Sequence, residues 1–108
     1  MRYDLYFETG GSRLTAASQA LITTILTKIA ERENPDVSVV GHSDTVGKAE
    51  ANAVLAYQRA TAIANLLREK GMQAATLSIE SHGESNLLIP TPDETPEPRN
   101  RRVEITIR

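Results

Sequence analysis

The side chains able to do chemistry concentrate in two places: the segment "GHSDTVG" at residues 41–47 and the helix-like run that follows it. His42, Ser43 and Asp44 are the types used in nucleophilic catalysis, but adjacent residues cannot converge on one hydroxyl as a triad must, so the segment does not read as catalytic and the chain is not expected to be an enzyme. His42 and His82 both follow strand-like stretches, yet a metal site needs at least a third ligand, so both read as structural histidines and no metal or cofactor is expected. Arg59 is the exception to pattern. At about 100° per residue, Leu55, Ala56, Ile63, Leu66 and Leu67 form one stripe, Arg59 lies in its middle, and Asn52 lies on it two turns earlier. A guanidinium keeps its charge at any ordinary pH, so on a buried stripe it needs an anionic or carbonyl partner, or a place at the stripe's open end. That partner is either internal, Asp44 or a Glu, or it arrives from outside. If the 41–47 loop folds back over the first turns of the helix, Asp44 and Arg59 face one pocket. Such a pocket suits a zwitterion, the carboxylate taking an ammonium and the planar fork taking a carboxylate.

The elements that must position these groups alternate in type. Tyr3, Leu5 and Phe7 alternate with polar residues, which predicts a strand ended by Gly10 and Gly11. Apolar positions recur at helical spacing from Leu14 to about Arg32, with Ser12 as candidate N-cap, and Asn34-Pro35 stops that helix. Val37, Val39 and Val40 make a short strand ending at Gly41. A second helix runs from about Lys48 to Lys70 with Gly71 at C′, and a third strand covers about Thr76 to Ser81. Four prolines, Pro90, Pro92, Pro96 and Pro98, make "IPTPDETPEPRN" an extended surface loop. Val103, Ile105 and Ile107 then alternate with polar residues in a last strand. The order β-α-β-α-β-β predicts a two-layer α/β domain, a mixed sheet with both helices on one face.

Composition narrows the functions open to such a domain. A chain of 108 residues is one domain, residues 1–108, with enough length for a real core. A net charge of -2 gives no general attraction to nucleic acid or anionic lipid, so anion recognition must be local. "RNRR" at residues 99–102 is basic but has no aromatic platform beside it, and reads as a solvated strand edge or as support for the pocket rather than as a nucleic-acid site. The absence of cysteine excludes disulfides and thiolate chemistry without identifying a compartment. The N-terminal "MRYDLYFETGG" lacks an apolar core of signal-peptide length, and no window approaches a membrane span. The chain is therefore expected either to work in the cytoplasm or to be a piece of a longer protein whose export signal or anchor lies elsewhere.

"VVGHSDTVGKAEANAVLAYQRATAIANLLREKG", followed by "SHGES" and "RNRRVEITIR", closely resembles the C-terminal domain family of outer-membrane protein A, shared with peptidoglycan-associated lipoproteins and flagellar stator proteins. The resemblance runs from Phe7 to Ile107. It implies noncovalent binding of peptidoglycan through the diaminopimelate of the stem peptide, by a periplasmic domain of an outer-membrane or other envelope-anchored protein. Asp44 matches the aspartate of the GH-S/T-D motif and Arg59 the arginine of the Arg-Ala pair, which hold the diaminopimelate ammonium and carboxylate in the family. Asn52 matches the helical Asn in a supporting role; Ser43, Thr45, Gly11 and Arg102 are secondary candidates. The chain departs from the family at Ser43, where Thr is common, at Ala56, where a hydroxyl is lost, and at "ETGGSRLT", so backbone contacts from Thr9 to Ser12 do not transfer directly. The rival expectation is a self-association or scaffold domain in which Asp44 and Arg59 pair with each other; homodimerisation is open under both.

Overall fold

In the computed structural model, residues 1–8, 13–83, 91 and 97–108 are described. The elements are β1 (Arg2–Tyr6), α1 (Ala16–Ala30), β2 (Asp36–His42), α2 (Ala49–Glu69), β3 (Thr76–Gly83), a single 3-10 turn (Pro98–Asn100) and β4 (Arg102–Ile107). The strands form one sheet in the order β1-β4-β2-β3. β4 runs antiparallel to both its neighbours, and β2 and β3 are parallel. Parallel neighbours need a crossover, and α2 supplies it.

Period-two alternation decides which face of the sheet is covered. Leu5 on β1, Val37 and Val39 on β2, and Val103, Ile105 and Ile107 on β4 all point inward and are almost wholly buried. Ile22, Ile25 and Ile29 from α1 and Ala60, Ile63, Ala64 and Leu67 from α2 close over them. Arg2, Asp4, Ser38, Arg102 and Glu104 occupy the other face, where Arg2, Asp4, Arg102 and Glu104 form a lattice of ion pairs. The two-layer mixed-sheet expectation is met.

Local chemistry sets the helix ends. Thr15, not Ser12, is the N-cap of α1: its side chain accepts from the Ser18 N–H at 3.3 Å. The Ser18 hydroxyl in turn accepts the Tyr6 N–H at 2.8 Å, which pins the helix start to β1. Ser12 lies outside the described residues, as do Gly10, Gly11 and three of the four loop prolines; Pro98 opens the 3-10 turn. At the end of α2, Gly71 takes a φ of 98°, its N–H meeting the Arg68 carbonyl while Met72 N–H meets that of Leu67. That is the left-handed C′ arrangement glycine favours.

Gly41 has a different task. It lies where β2 passes under α2, and a Cβ built there would overlap the carbonyl oxygen of Ala56. The helix that carries Asn52 and Arg59 can approach the strand that leads to Asp44 only because no side chain intervenes. Gly41→Ala is expected to push α2 off the sheet and to destabilise the domain by about 3 kcal/mol or more, read as a lowered urea midpoint.

Candidate functional site

The site forms where β2 ends and the 43–48 loop turns back toward α2. Ser43, Asp44 and Thr45 are all buried although they belong to a connection, and buried polar groups must be hydrogen-bonded. Asn52, in the second turn of α2, meets that need. Its side-chain amide donates to the Val46 carbonyl at 2.9 Å and to the Asp44 carbonyl at 3.4 Å, clamping the loop onto the helix. Ser43 Oγ donates to the Asp44 carbonyl at 3.0 Å, and Thr45 Oγ1 meets Thr91 Oγ1 at 3.3 Å. Gly47, with a φ of 89°, lets the backbone reverse toward Lys48. The expected fold-back of the loop is what the structure shows.

Asp44, only 7% exposed, is held on three sides. Its Oδ1 accepts the Val46 N–H at 3.2 Å; its Oδ2 accepts Arg101 Nη1 at 2.7 Å and, at longer range, the Glu97 N–H at 3.5 Å. The ion pair formed at Asp44 is therefore with Arg101, itself 6% exposed. Arg59 is 1% exposed, with its guanidinium carbon 5.1 Å from the centre of the Phe7 ring, a cation–π stack. Burial first, and Arg101 second, push the Arg59 pKa down while Asp44 pushes it back up, so all three charges share one electrostatic neighbourhood. Arg59 stays cationic. Phe7 also donates its backbone N–H to the Arg101 carbonyl at 3.2 Å, so the ring beneath Arg59 and the strand entry carrying Arg101 are locked together.

The structure thus brings Asp44, Asn52, Arg59, Ser43 and Thr45 to one end of the sheet; Gly11 lies outside the described residues. Arg102 is a correction. It points to the opposite face, where its Nη1 donates to Asp4 Oδ1 at 3.0 Å and to Glu104 Oε1 at 2.8 Å. The arginine of "RNRR" that reaches the loop is its neighbour Arg101, which strand parity could have revealed: with Val103 facing inward, so must Arg101.

His42 also leaves the site. Its ring is 1% exposed on the open face, with Nε2 3.4 Å from Glu104 Oε1 and the His82 ring 5.3 Å away, edge to face. Burial first, then Arg102, lower its pKa to about 4. Ser43 bonds a carbonyl and His42 sits beside Glu104, so no Ser-His relay forms. Among the described residues there is no cluster of three metal-ligating side chains.

Comparison with known proteins gives the family and the fold. Residues 6–101 match the OmpA family. The chain belongs to that family. It is similar to the probable lipoprotein YiaD of Escherichia coli, 27% identical over 107 residues that span 99% of this chain and 49% of that one. It is also similar to outer membrane protein P5 of Haemophilus influenzae, 29% identical over 77% of this chain and 24% of that one. The chain therefore spans half or less of these relatives. In fold it is similar to the peptidoglycan-associated lipoprotein of Burkholderia pseudomallei, with a TM-score of 0.84 at 23% identity, covering 97% of this chain and 89% of that one.

The His42 environment makes a prediction. Its folded pKa, about 4, lies below the ordinary 6.5, so the unfolded chain takes up the proton first as pH falls. The His42 contribution is complete above pH 6.5, is lost through the interval and is exhausted below about 4, a loss on the order of 3 kcal/mol. Urea titrations between pH 6.5 and 5, above the range of ordinary carboxylates, should show the decline, and His42→Gln should flatten it.

Proposed function

We propose that this domain binds peptidoglycan noncovalently through the diaminopimelate of a stem peptide, as the wall-anchoring module of a longer envelope protein, with the site facing the periplasm. The observation that carries the reading is the convergence of the Asp44 carboxylate and the Arg59 and Arg101 guanidiniums at one loop. The OmpA family, to which the chain belongs, generally binds peptidoglycan.

The roles follow from what each group can accept or donate. An ionised carboxylate offers about four lone-pair positions. At Asp44 the Val46 and Glu97 N–H groups and Arg101 occupy some of them, and an incoming ammonium takes another. The Arg59 fork suits a carboxylate bidentately, and stacking on Phe7 holds its plane before the ligand arrives, which lowers the ordering entropy lost on binding. Arg101 orients Asp44 through its 2.7 Å bond, and Asn52 fixes the loop that presents it. Binding rather than catalysis fits this arrangement, because every group is placed to hold charge and none to relay a proton. Among the described residues no helix is long and apolar enough to cross a membrane.

Each charge-assisted contact contributes about 1.5–3 kcal/mol, so one stem is held at roughly micromolar to millimolar strength, and several copies on one polymer hold it firmly by avidity. Arg59→Lys keeps the charge and loses the fork; it should weaken cosedimentation with isolated wall sacculi by about 10-fold or more with the fold retained. Asp44→Asn should weaken binding too, at a stability cost of about 3–5 kcal/mol because it takes the carboxylate from buried Arg101, so it is assayed under conditions where a urea titration shows it folded. Arg108→Ala, at an exposed position on the far end of β4, should bind as the wild type does. Undiminished sacculus binding by folded Arg59→Lys and Asp44→Asn would contradict the reading.

A further inference from the structure

One residue, Phe7, links the candidate site to a second concavity. Between α1 and α2 lies an open groove of about 540 Å³ whose apolar lining includes Phe7, Leu14, Ile22 and Leu66. Phe7 belongs to both places: one part of its surroundings is the Arg59 guanidinium, 5.1 Å from the ring centre, and another is this groove. On α2 the groove extends from Ala62 to Lys70. Those eight rises of 1.5 Å make about 12 Å, the reach of three or four residues of extended chain.

We infer that this groove holds the rest of the stem peptide, the residues flanking the diaminopimelate. The inference rests on the reading of the Asp44–Arg59 site given above. Continuity with that site is its first support. The second is charge: exposed Arg13 and Lys70 border the groove, with Glu69 the one acid among its lining residues, a rim suited to a peptide that carries carboxylates of its own. Third, the volume and mixed lining suit a short peptide: apolar walls take small side chains, and exposed Thr23 and Asn65, one from each helix, offer polar partners to its backbone. Diaminopimelate thus supplies the anchor, and the groove supplies affinity for an intact stem over the free amino acid.

The test compares free diaminopimelate with a diaminopimelate-containing stem tetrapeptide, each titrated calorimetrically into the full chain, into a double variant Arg13→Glu/Lys70→Glu, and into Ala62→Trp, which fills the groove from an exposed position. The wild type should bind the tetrapeptide about 10-fold or more tighter than the free amino acid. Both variants should lose that difference while binding free diaminopimelate as the wild type does. Amide shifts at Ala62, Asn65 and Leu66 should move with the tetrapeptide and not with diaminopimelate alone. Equal affinity of the wild type for the two ligands, or variants that keep the full preference, would overturn the groove and leave the anchor standing. A folded wild type that binds neither ligand would overturn the anchor and the groove together.

Discussion

A buried carboxylate is costly without compensating charge or hydrogen bonds, and here the compensating cation comes from 57 residues away in sequence. Asp44 hangs on the connection from β2 to α2; Arg101 stands at the threshold of β4. Their 2.7 Å contact ties the loop to the middle of the sheet and fixes the end at which every other polar group of the site collects. Breaking a pair this deeply buried costs about 3–5 kcal/mol, a large share of the stability of a domain this size. The Asn52 clamp, the Phe7–Arg101 backbone bond and the stacking of Arg59 on Phe7 gather at the same end.

The two faces of the sheet divide the remaining charge. On the covered face, Arg59 and Arg101 surround Asp44 in low-dielectric surroundings where each interaction is strengthened. On the open face, Arg102, Asp4, Glu104 and Arg2 neutralise one another in a network that buries His42 beneath it. Consecutive arginines at 101 and 102 serve the two sets. A shift of one residue in the register of β4 would exchange their roles and place a carboxylate-paired arginine where the site needs one to face Asp44.

Much of this was legible in residue patterns. Strand alternation and helical spacing locate the four strands and two helices, most ends to within a residue or two, because each element buries one face and the burial dictates the period. Arg59 and Asp44 stand out for a related reason: a charge on an apolar stripe is too costly to be accidental, and a polar loop at a strand end is where α/β sheets gather ligands. Arg101 is legible in principle, since the inward parity of Val103 and Ile105 carries back to it, whereas Arg102 breaks that parity. Residue type does not decide the N-cap of α1, because Ser12 and Thr15 offer the same hydroxyl; the Ser18 N–H bonded to Thr15 Oγ1 identifies it. Phe7 beneath Arg59, and the burial of His42 under Glu104, depend on contacts between distant strands, which no local pattern encodes.

The central claim is that the Asp44 end of the sheet recognises a zwitterion presented by the wall. Calorimetric titration with a stem peptide containing diaminopimelate, beside the same peptide carrying lysine in its place, tests it most directly, because lysine keeps the ammonium and removes the carboxylate that Arg59 would grip. The account predicts heat at roughly micromolar to millimolar affinity with the first peptide and none with the second at millimolar concentration. Equal heats from both peptides, or no heat from either with the folded protein, would contradict it.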